Sequence, residues 1–388
     1  MTNENYVSKT VASLPPSGIR KFFDLAANME GVVSLGVGEP DFVTSWSVRE
    51  AAIHSLEEGR TSYTANAGLL ELRTEIAGYM EQAFNVSYQP EHQILVTVGA
   101  SEGIDLALRS IINPGEEVLV VSPCFVSYAP LVTMAGGVPK IIHTTGENQF
   151  KLTPAELEEA ITPNTKAMII CSPNNPTGTQ LNQEELIKIA EIIKKNDLLV
   201  IADEIYAELA YDETFTSFAS VGDMINRTIL INGFSKSFAM TGWRLGFVCA
   251  PREILEAMLK LHQYTMMCAP TMAQYGALEA LKHGWDDVED MRTSYRQRRN
   301  YIVKSFNEIG LTCHNPGGAF YAFPSIAKTG LSSQKFAEKL LLEERVAVVP
   351  GDVFGESGEG YIRCSYASSL VQLQEAVKRI ARFMKNYQ

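Results

Sequence analysis

The stretch Thr228-Ile229-Leu230-Ile231-Asn232-Gly233-Phe234-Ser235-Lys236 is the most informative part of the chain, because it joins an apolar run to a loop that carries a lysine. The run Thr228–Ile231 has the length and the branched side chains of a buried strand. A lone lysine in a loop is usually a surface charge, so its interpretation depends on its neighbours. Burial and the downstream cation Arg244 would both lower the pKa of Lys236, and condensation with a carbonyl requires a neutral amine.

Strand-like runs alternate with amphipathic segments through the middle of the chain. Two of these segments begin with a capping box, Thr153-Pro154-Ala155-Glu156 and Asn182-Gln183-Glu184-Glu185, which is typical of helix starts. Strands that alternate with helices predict an α/β fold with a mostly parallel central sheet flanked by helices. The predicted strands are Ile94–Val98, Glu117–Val121, Lys166–Ile170, Leu198–Ala202, Thr228–Ile231 and Leu245–Cys249.

The pattern changes after about Trp285. A long charged helix, Asp290–Ile309, precedes short strands and a terminal helix, which indicates a smaller α+β domain. Its predicted strands are Ala319–Phe323, Val346–Val349 and Tyr361–Ser365. Four arginines of the long helix are expected to face solvent, namely Arg292, Arg296, Arg298 and Arg299. The predicted regions are an N-terminal arm with part of the small domain (1–45), a large ligand-binding domain (46–285) and a small C-terminal domain (286–388).

The composition argues against several classes of protein. With 388 residues and 46% hydrophobic content, the chain is expected to form a large core in two lobes. A net charge of −12 argues against nucleic-acid or anionic-membrane binding, and no apolar run reaches the length of a membrane span. Six dispersed cysteines and an N-terminus without a signal-peptide pattern indicate a cytoplasmic protein with reduced thiols. The scattered histidines predict no metal site.

Polar residues follow several predicted strands, at the edge where ligands of α/β sheets bind. Asp203 and Tyr206 follow one strand, and Asn174-Asn175-Pro176-Thr177-Gly178 follows another. Gly99-Ala100-Ser101-Glu102-Gly103 opens a helix, whose free amide N–H groups form an anion site. Together with Lys236, these residues are what pyridoxal phosphate requires for its aldehyde, its pyridine nitrogen, its phenolic oxygen and its phosphate.

The chain resembles class I aminotransferases of the fold-type I pyridoxal-phosphate superfamily nearly end to end, and most closely the branch of bacterial alanine and aromatic aminotransferases. The motifs that carry the resemblance occur in the family's order: Gly38-Glu39-Pro40-Asp41-Phe42, Tyr63 with Gly68, Asn174–Gly178, Asp203-Glu204-Ile205-Tyr206, the segment Asn232–Arg244 and Arg363-Cys364-Ser365-Tyr366-Ala367. The resemblance implies a transaminase of amino acid metabolism, which moves an amino group between an L-amino acid and a 2-oxo acid such as 2-oxoglutarate.

The resemblance also implies a role for each matching residue, and Lys236, Asp203 and Tyr206 are the ones expected to be catalytic. Lys236 corresponds to the lysine that forms the Schiff base and then moves a proton as general base and acid. Asp203 corresponds to the partner of the pyridine nitrogen. Asn175 and Tyr206 correspond to the residues that bind the phenolic oxygen, and Phe125 to the aromatic ring that stacks on the cofactor.

Other matches concern the substrate and the partner subunit. Arg363 corresponds to the arginine that binds the α-carboxylate, which its planar guanidinium suits, and Gly38 is expected to add a backbone N–H. Asn175 and Phe125 are also expected to contact the substrate. Tyr63 corresponds to the tyrosine that reaches the phosphate of the neighbouring subunit, which implies a homodimer with shared active sites.

The expected phosphate site departs from the family at one position. Ala100 and Ser101 correspond to the phosphate-binding turn, and Arg244 to its cation. The family often has a serine three positions before the lysine, where this chain has Gly233. Ser235 is the residue expected to compensate.

The choice of substrate depends on one apolar segment. Relatives that act on dicarboxylates often use a second arginine from the partner subunit, and the corresponding segment Gln263–Pro270 contains none. Alanine or an aromatic amino acid is therefore favoured over aspartate. A carbon–sulfur β-lyase on the same fold is an alternative, because the same cofactor chemistry can eliminate a β-substituent.

Two other classes of protein share single features with this sequence. Gly99-Ala100-Ser101-Glu102-Gly103 also fits the nucleophile elbow of α/β-hydrolases, with Ser101 as nucleophile and Asp203, His262 or His283 downstream. That reading leaves Lys236 unexplained. Regulators that fuse an aminotransferase-like domain to a DNA-binding module are disfavoured by the lack of a basic patch.

Overall fold

A central seven-stranded sheet dominates the computed structural model, which describes residues 6–16, 18 and 29–387. The described strands are β1 (Val33–Ser34), β2 (Ile94–Thr97), β3 (Glu117–Ser122), β4 (Val138–His143), β5 (Thr165–Cys171), β6 (Leu199–Asp203), β7 (Thr228–Gly233), β8 (Gly246–Cys249), β9 (Tyr321–Ala322), β10 (Val346–Ala347), β11 (Val349–Pro350) and β12 (Ile362–Ser365). The order in the large sheet is β2-β8-β7-β6-β5-β3-β4.

Six strands of this sheet run in one direction, and only β8 runs against them. Neighbouring strands from β4 to β7 pair in parallel, whereas β8 pairs antiparallel with both β2 and β7. All residues of β2 and β7 are buried, as in sheets covered on both faces. The predicted α/β fold with a mostly parallel sheet is confirmed, and all six predicted strands of the sheet are present. The edge strand β4 was not predicted.

Helices cover both faces of the sheet and build most of the second lobe. The described α-helices are α1 (Lys9–Ala12), α2 (Trp46–Glu57), α3 (Leu70–Phe84), α4 (Gly99–Ile111), α5 (Tyr128–Met134), α6 (Pro154–Ala160), α7 (Gln183–Lys195), α8 (Phe234–Ser237), α9 (Arg252–Thr265), α10 (Thr271–His283), α11 (Trp285–Glu308), α12 (Ser333–Glu344) and α13 (Leu370–Met384). Both predicted capping boxes are present, at the starts of α6 and α7. None of the described helices has the length and apolar character needed to cross a membrane.

The second lobe combines residues from both ends of the described chain. Strand β1 pairs in parallel with β10, and β11, β12 and β9 form a small antiparallel sheet. The predicted strand Val346–Val349 is two short strands here, and α11 begins earlier than the predicted helix. The predicted region boundaries stay a prediction. Residues 1–5, 17 and 19–28 of the first region lie outside the described residues.

The prediction that the arginines of α11 face solvent is wrong for two of them. Arg299 is only 2% exposed and forms an ion pair with Asp212, in which the Nη1–Oδ2 distance is 2.6 Å. Arg298 donates to both carboxylate oxygens of Asp41 at 2.8 Å. Arg299 is therefore buried with its partner, and Arg298 is 14% exposed and paired rather than freely solvated.

Gly233 is required by the contact between two strands. Gly233 at the end of β7 lies opposite Gly246 of β8, and a Cβ at position 233 would lie 2.8 Å from the Cα of Gly246. Such a contact is shorter than side chains tolerate, so a serine does not fit here without moving the backbone. Packing therefore explains why this chain has glycine where the family often has serine.

Candidate active site

The polar residues that follow the strands meet in one cavity of about 510 Å³. Asp203 ends β6, Asn175 follows β5, and Lys236 follows β7, so all three lie at the carboxyl edge of the sheet. Arg244 precedes β8, and the reversed direction of this strand places it at the same edge. Every predicted site residue lines this cavity except Tyr63, which is 78% exposed on the surface.

The amine of Lys236 lies inside the cavity. It donates a hydrogen bond to the carbonyl oxygen of Gly38 at 2.7 Å. Burial lowers the pKa of Lys236 to about 8; the nearby Arg363 and Arg244 act in the same direction, and Glu39 opposes them. The prediction of a lowered pKa is confirmed. At pH 7 roughly a tenth of this amine is uncharged and able to attack a carbonyl, far more than for a lysine with an ordinary pKa.

Asp203 presents a buried carboxylate at the floor of the cavity. Its Oδ2 accepts a hydrogen bond from the hydroxyl of Tyr128 at 2.5 Å, and its Oδ1 accepts one from the N–H of Ile205 at 3.3 Å. Burial raises the pKa of Asp203, whereas both hydrogen bonds and the charge of Lys236 oppose this rise. A positive group that enters the cavity would stabilise this carboxylate in its charged form.

Arg363 is a buried cation that forms no ion pair with any described residue. Its Nη1 donates to Oδ1 of Asn175 at 2.9 Å, and its Nη2 donates to the carbonyl oxygen of Gly36 at 2.7 Å. Its guanidinium carbon lies 4.5 Å from the centre of the Tyr321 ring. These neutral contacts hold the side chain in place and leave its charge available to an anion in the cavity.

The start of α4 and Arg244 form a second site for an anion. Gly99 has a φ of +76°, and a Cβ there would lie 2.7 Å from Nη2 of Arg244. Glycine therefore lets the guanidinium approach the first turn of the helix, where Ala100 and Ser101 carry free amide N–H groups. Two positive groups at close range repel each other unless an anion lies between them. Ser235, which is 8% exposed, lines the same cavity.

Sequence reasoning missed two tyrosines of the cavity. Tyr128 lies on α5 and binds Asp203, as described above. The hydroxyl of Tyr321 lies 3.0 Å from the hydroxyl of Tyr206, and its ring covers Arg363. Tyr321 lies in a predicted strand, but a strand alone does not indicate that a side chain faces a ligand. Phe125 and Tyr128 contact each other edge to face, and their close spacing in the sequence was an available signal.

Comparison with known proteins identifies the family. Residues 30–380 match the family model for aminotransferase class I and II. The chain belongs to this aminotransferase family. It is a class I, pyridoxal-phosphate-dependent transaminase, as the sequence motifs predicted.

Similar proteins cover nearly the whole of this aminotransferase. "Putative aminotransferase YugH" of Bacillus subtilis (strain 168) is 63% identical over 380 residues, which are 98% of each chain. "Aspartate aminotransferase" of Pyrococcus abyssi is 48% identical over 373 residues, 95% of this chain and 96% of that protein. A crystal structure of an aromatic aminotransferase from Pyrococcus horikoshii OT3 has a TM-score of 0.91 at 46% identity, and covers 95% of this chain and 99% of its own. The fold-type I architecture is thereby confirmed.

The cavity of the aminotransferase fits pyridoxal phosphate. A buried carboxylate, an amine with a lowered pKa and an anion site at a helix start match the pyridine nitrogen, the aldehyde and the phosphate of this cofactor. When bound, the cofactor supplies the aldehyde and a ring that accepts the electrons left when the substrate Cα loses its proton. Among the residues that the structure describes, no group of His, Cys, Asp and Glu side chains is arranged to hold a metal ion.

The structure does not assemble the hydrolase triad. Ser101 is exposed in the first turn of α4, whereas Nδ1 of His262 lies 2.7 Å from Oε1 of Glu102. His283 is exposed at the end of α10. No hydrogen bond joins Ser101 to a described histidine, so nothing in this arrangement activates a serine nucleophile.

Glu204, the residue after Asp203 in the sequence, is a second buried carboxyl group. Its Oε1 accepts hydrogen bonds from the hydroxyl of Ser217 at 3.0 Å and from the N–H of Phe218 at 2.8 Å. Its Oε2 is buried and has no hydrogen-bond partner among the described residues. Burial raises the pKa of Glu204 to about 8, and Asp203 adds to the rise. The folded protein therefore favours the protonated form of Glu204.

We predict that Glu204→Gln removes a loss of stability at alkaline pH. Between the ordinary pKa of a glutamate and a folded pKa of about 8, the folded state holds one more proton than the unfolded state. The free energy of unfolding of the parent protein should therefore fall by about 1.4 kcal/mol per pH unit across this window because of Glu204. Urea unfolding from pH 5 to 9 measures this slope. The exposed Glu191→Gln is the control, and an unchanged slope in Glu204→Gln would contradict the prediction.

Proposed function

We propose that Lys236 binds the cofactor aldehyde covalently and moves the proton at the substrate Cα. Its lowered pKa, its place in α8 directly after β7 and its hydrogen bond to Gly38 support this role. Asp203 is the proposed partner of the pyridine nitrogen, because it is a buried carboxylate whose Oδ2 is already oriented by Tyr128. This carboxylate keeps the ring nitrogen protonated, which makes proton loss from Cα easier.

Arg363 is the proposed binding site of the substrate α-carboxylate. Its charge is unpaired among the described residues, and Asn175 and Tyr321 fix the plane of its guanidinium. Gly38 lies next to it, since a Cβ at this position would be 3.8 Å from Nη2 of Arg363. An amino acid held there presents its Cα toward Lys236, which already bonds Gly38. Binding by Arg363 thus orients the bond that must break.

The remaining site residues are proposed to hold the two ends of the cofactor. Tyr206 and Asn175 are the proposed donors to its phenolic oxygen, and Phe125 is the proposed stacking ring. The phosphate is assigned to the first turn of α4, with Ala100 and Ser101, and to Arg244 and Ser235. Arg244 lies close to the positive end of α4, and an anion between the two would relieve their repulsion, which supports this assignment.

The proposed substrates are an L-amino acid with a small or apolar side chain, with alanine or an aromatic amino acid favoured, and a 2-oxo acid such as 2-oxoglutarate. The described lining of the cavity offers Arg363 for the α-carboxylate and Arg244 for the phosphate, and no further arginine. Ile104, Phe125 and Ile205 make part of the lining apolar. The aromatic aminotransferase of known structure supports this choice, whereas the relative named for aspartate supports a second carboxylate.

A homodimer is proposed from an exposed apolar surface. Tyr63, Tyr264 and Met267 are 78%, 92% and 45% exposed, and a patch of exposed large apolar side chains marks a protein interaction site. They belong to neighbouring segments, because the side chain of Asn66 donates to the carbonyl of Met267 at 2.7 Å. A second copy of the chain would bury this surface and could place its Tyr63 at the phosphate site.

We propose a cytoplasmic location because the cysteines form no disulfide bonds. All six cysteines are free, and burial raises the pKa of Cys124 to about 12. Unpaired thiols of this kind are usual where the environment is reducing.

Replacing Lys236 should abolish turnover without unfolding the protein. Lys236→Ala removes the amine that attaches the cofactor and moves the proton, so the rate should fall by at least about 10⁴-fold. The measurement is transamination rate together with circular dichroism. Borohydride reduction of the parent holoenzyme, followed by mass spectrometry, should locate the cofactor on Lys236. Lys260→Ala, an exposed lysine of α9, is the matched control, and wild-type turnover in Lys236→Ala would refute the assignment.

A panel of amino acids tests the proposed substrates. With 2-oxoglutarate as acceptor, kcat/KM for alanine or for phenylalanine and tyrosine should exceed the value for aspartate. Glutamate formation measures each rate. Aspartate as the best donor would overturn the proposal, while pyruvate and ammonia formed from a sulfur-bearing amino acid without 2-oxoglutarate would indicate the β-lyase instead.

Subunit mixing tests the shared active site. Mixed dimers combine one Lys236→Ala subunit with one Tyr63→Ala subunit. If Tyr63 acts across the interface, one site of such a dimer carries both changes and the other site is intact. Such mixed dimers should regain about half of the parent activity, although each variant alone is impaired. If Tyr63 acts within its own subunit, no intact site forms and mixing restores nothing.

A further inference from the structure

Glu102 and His262 form a buried pair that has no part in the site proposed above. Nδ1 of His262 lies 2.7 Å from Oε1 of Glu102, and the two side chains are 0% and 9% exposed. Glu102 belongs to α4, close behind the turn assigned to the phosphate, and His262 belongs to α9. The pair therefore joins the start of one helix to the end of another.

The surroundings of His262 determine which ring nitrogen carries the proton. Nε2 is buried and has no hydrogen-bond partner among the described residues. A proton on Nε2 would leave a buried N–H donor unpaired, which is costly. Nδ1 is therefore the protonated nitrogen, and it donates to the carboxylate of Glu102.

The second oxygen of Glu102 is also engaged. Its Oε2 accepts a hydrogen bond from the N–H of Val98 at 2.5 Å. Val98 is the N-cap of α4, so the carboxylate accepts the hydrogen bond of the backbone N–H just before the helix. The N–H groups of Gly99, Ala100 and Ser101 remain free to bind an anion. His262 and Val98 together hold the carboxylate on the buried side of the first turn.

We propose that Glu102 and His262 are positioning residues for the cofactor phosphate, an inference that rests on the phosphate site proposed above. A carboxylate in the first turn is attracted by the same free amides that bind an anion. His262 holds this carboxylate away from them. Without the imidazole donor, Glu102 can turn toward the helix start and compete with the phosphate as an internal anion.

The pair also connects the phosphate turn to the exposed apolar surface. The carbonyl oxygen of His262 accepts hydrogen bonds from the N–H groups of Met266 and Met267, at 2.8 and 3.1 Å. These residues belong to the segment that carries the exposed apolar side chains. The last turn of α9 therefore joins the backbone of His262 to that segment.

Cofactor release from the holoenzyme tests the proposal. His262→Leu removes the donor, and the rate of pyridoxal phosphate release, followed by the loss of its absorbance in the presence of a trap, should rise roughly 10-fold to 100-fold. Affinity for pyridoxal, which lacks the phosphate, should not change. His262→Asn, which keeps an N–H donor, should restore most of the retention. His283→Leu breaks an exposed histidine–glutamate contact of 2.9 Å elsewhere and is the matched control.

A double variant separates this mechanism from a loss of packing. In His262→Leu/Glu102→Gln the competing charge is absent, so retention of the phosphate cofactor should return toward the parent value. If the double variant releases it as fast as the single one, or if pyridoxal is affected equally, the proposal is overturned. A parent holoenzyme whose cofactor is not attached to Lys236 would instead refute the site proposed above, which is a different result.

Discussion

The direction of the strands is the constraint on which the site of this aminotransferase depends. Parallel strands bring their carboxyl ends to one edge, so a lysine, an aspartate and an asparagine that follow three different strands become neighbours. Strand β8 runs in the reverse direction, so its amino end lies at this same edge. Arg244, which precedes β8, therefore joins the other site residues. Arg363 belongs to β12 of the other lobe, and it donates hydrogen bonds to the side chain of Asn175 and to the carbonyl oxygen of Gly36. The charges thus meet only when both lobes are folded.

Much of this arrangement could be predicted because it follows from local patterns. Runs of Ile, Val and Leu identified six of the seven strands in the large sheet, and the polar residue after each run indicated the edge with the chemistry. The two capping boxes were found for the same reason, since a cap depends on residues within one turn. Recognition of the family motifs then supplied roles that the residues alone do not specify.

What could not be predicted depends on packing between distant segments. Strand β4 is half exposed at the edge of the sheet and contains a proline and a lysine, so it lacks the apolar run of a buried strand. The burial of Arg299 depends on Asp212, which is remote in sequence. Tyr128 and Tyr321 are ordinary core tyrosines by sequence, and only the fold brings their hydroxyl groups to the cavity. The glycine at position 233 was explained only by its contact with β8.

Because the site residues gather at one edge of the sheet, the opposite edge is available for engineering. The turn between α4 and β3, whose residues Asn113–Gly115 are exposed, lies at the amino ends of the strands, a full strand length from Lys236. Surface turns of this kind accept inserted sequence far better than strands do. A fluorescent reporter or an immobilisation tag grafted there would leave the entrance to the cavity unobstructed, so the enzyme could be anchored to a solid support with its catalytic edge facing solution.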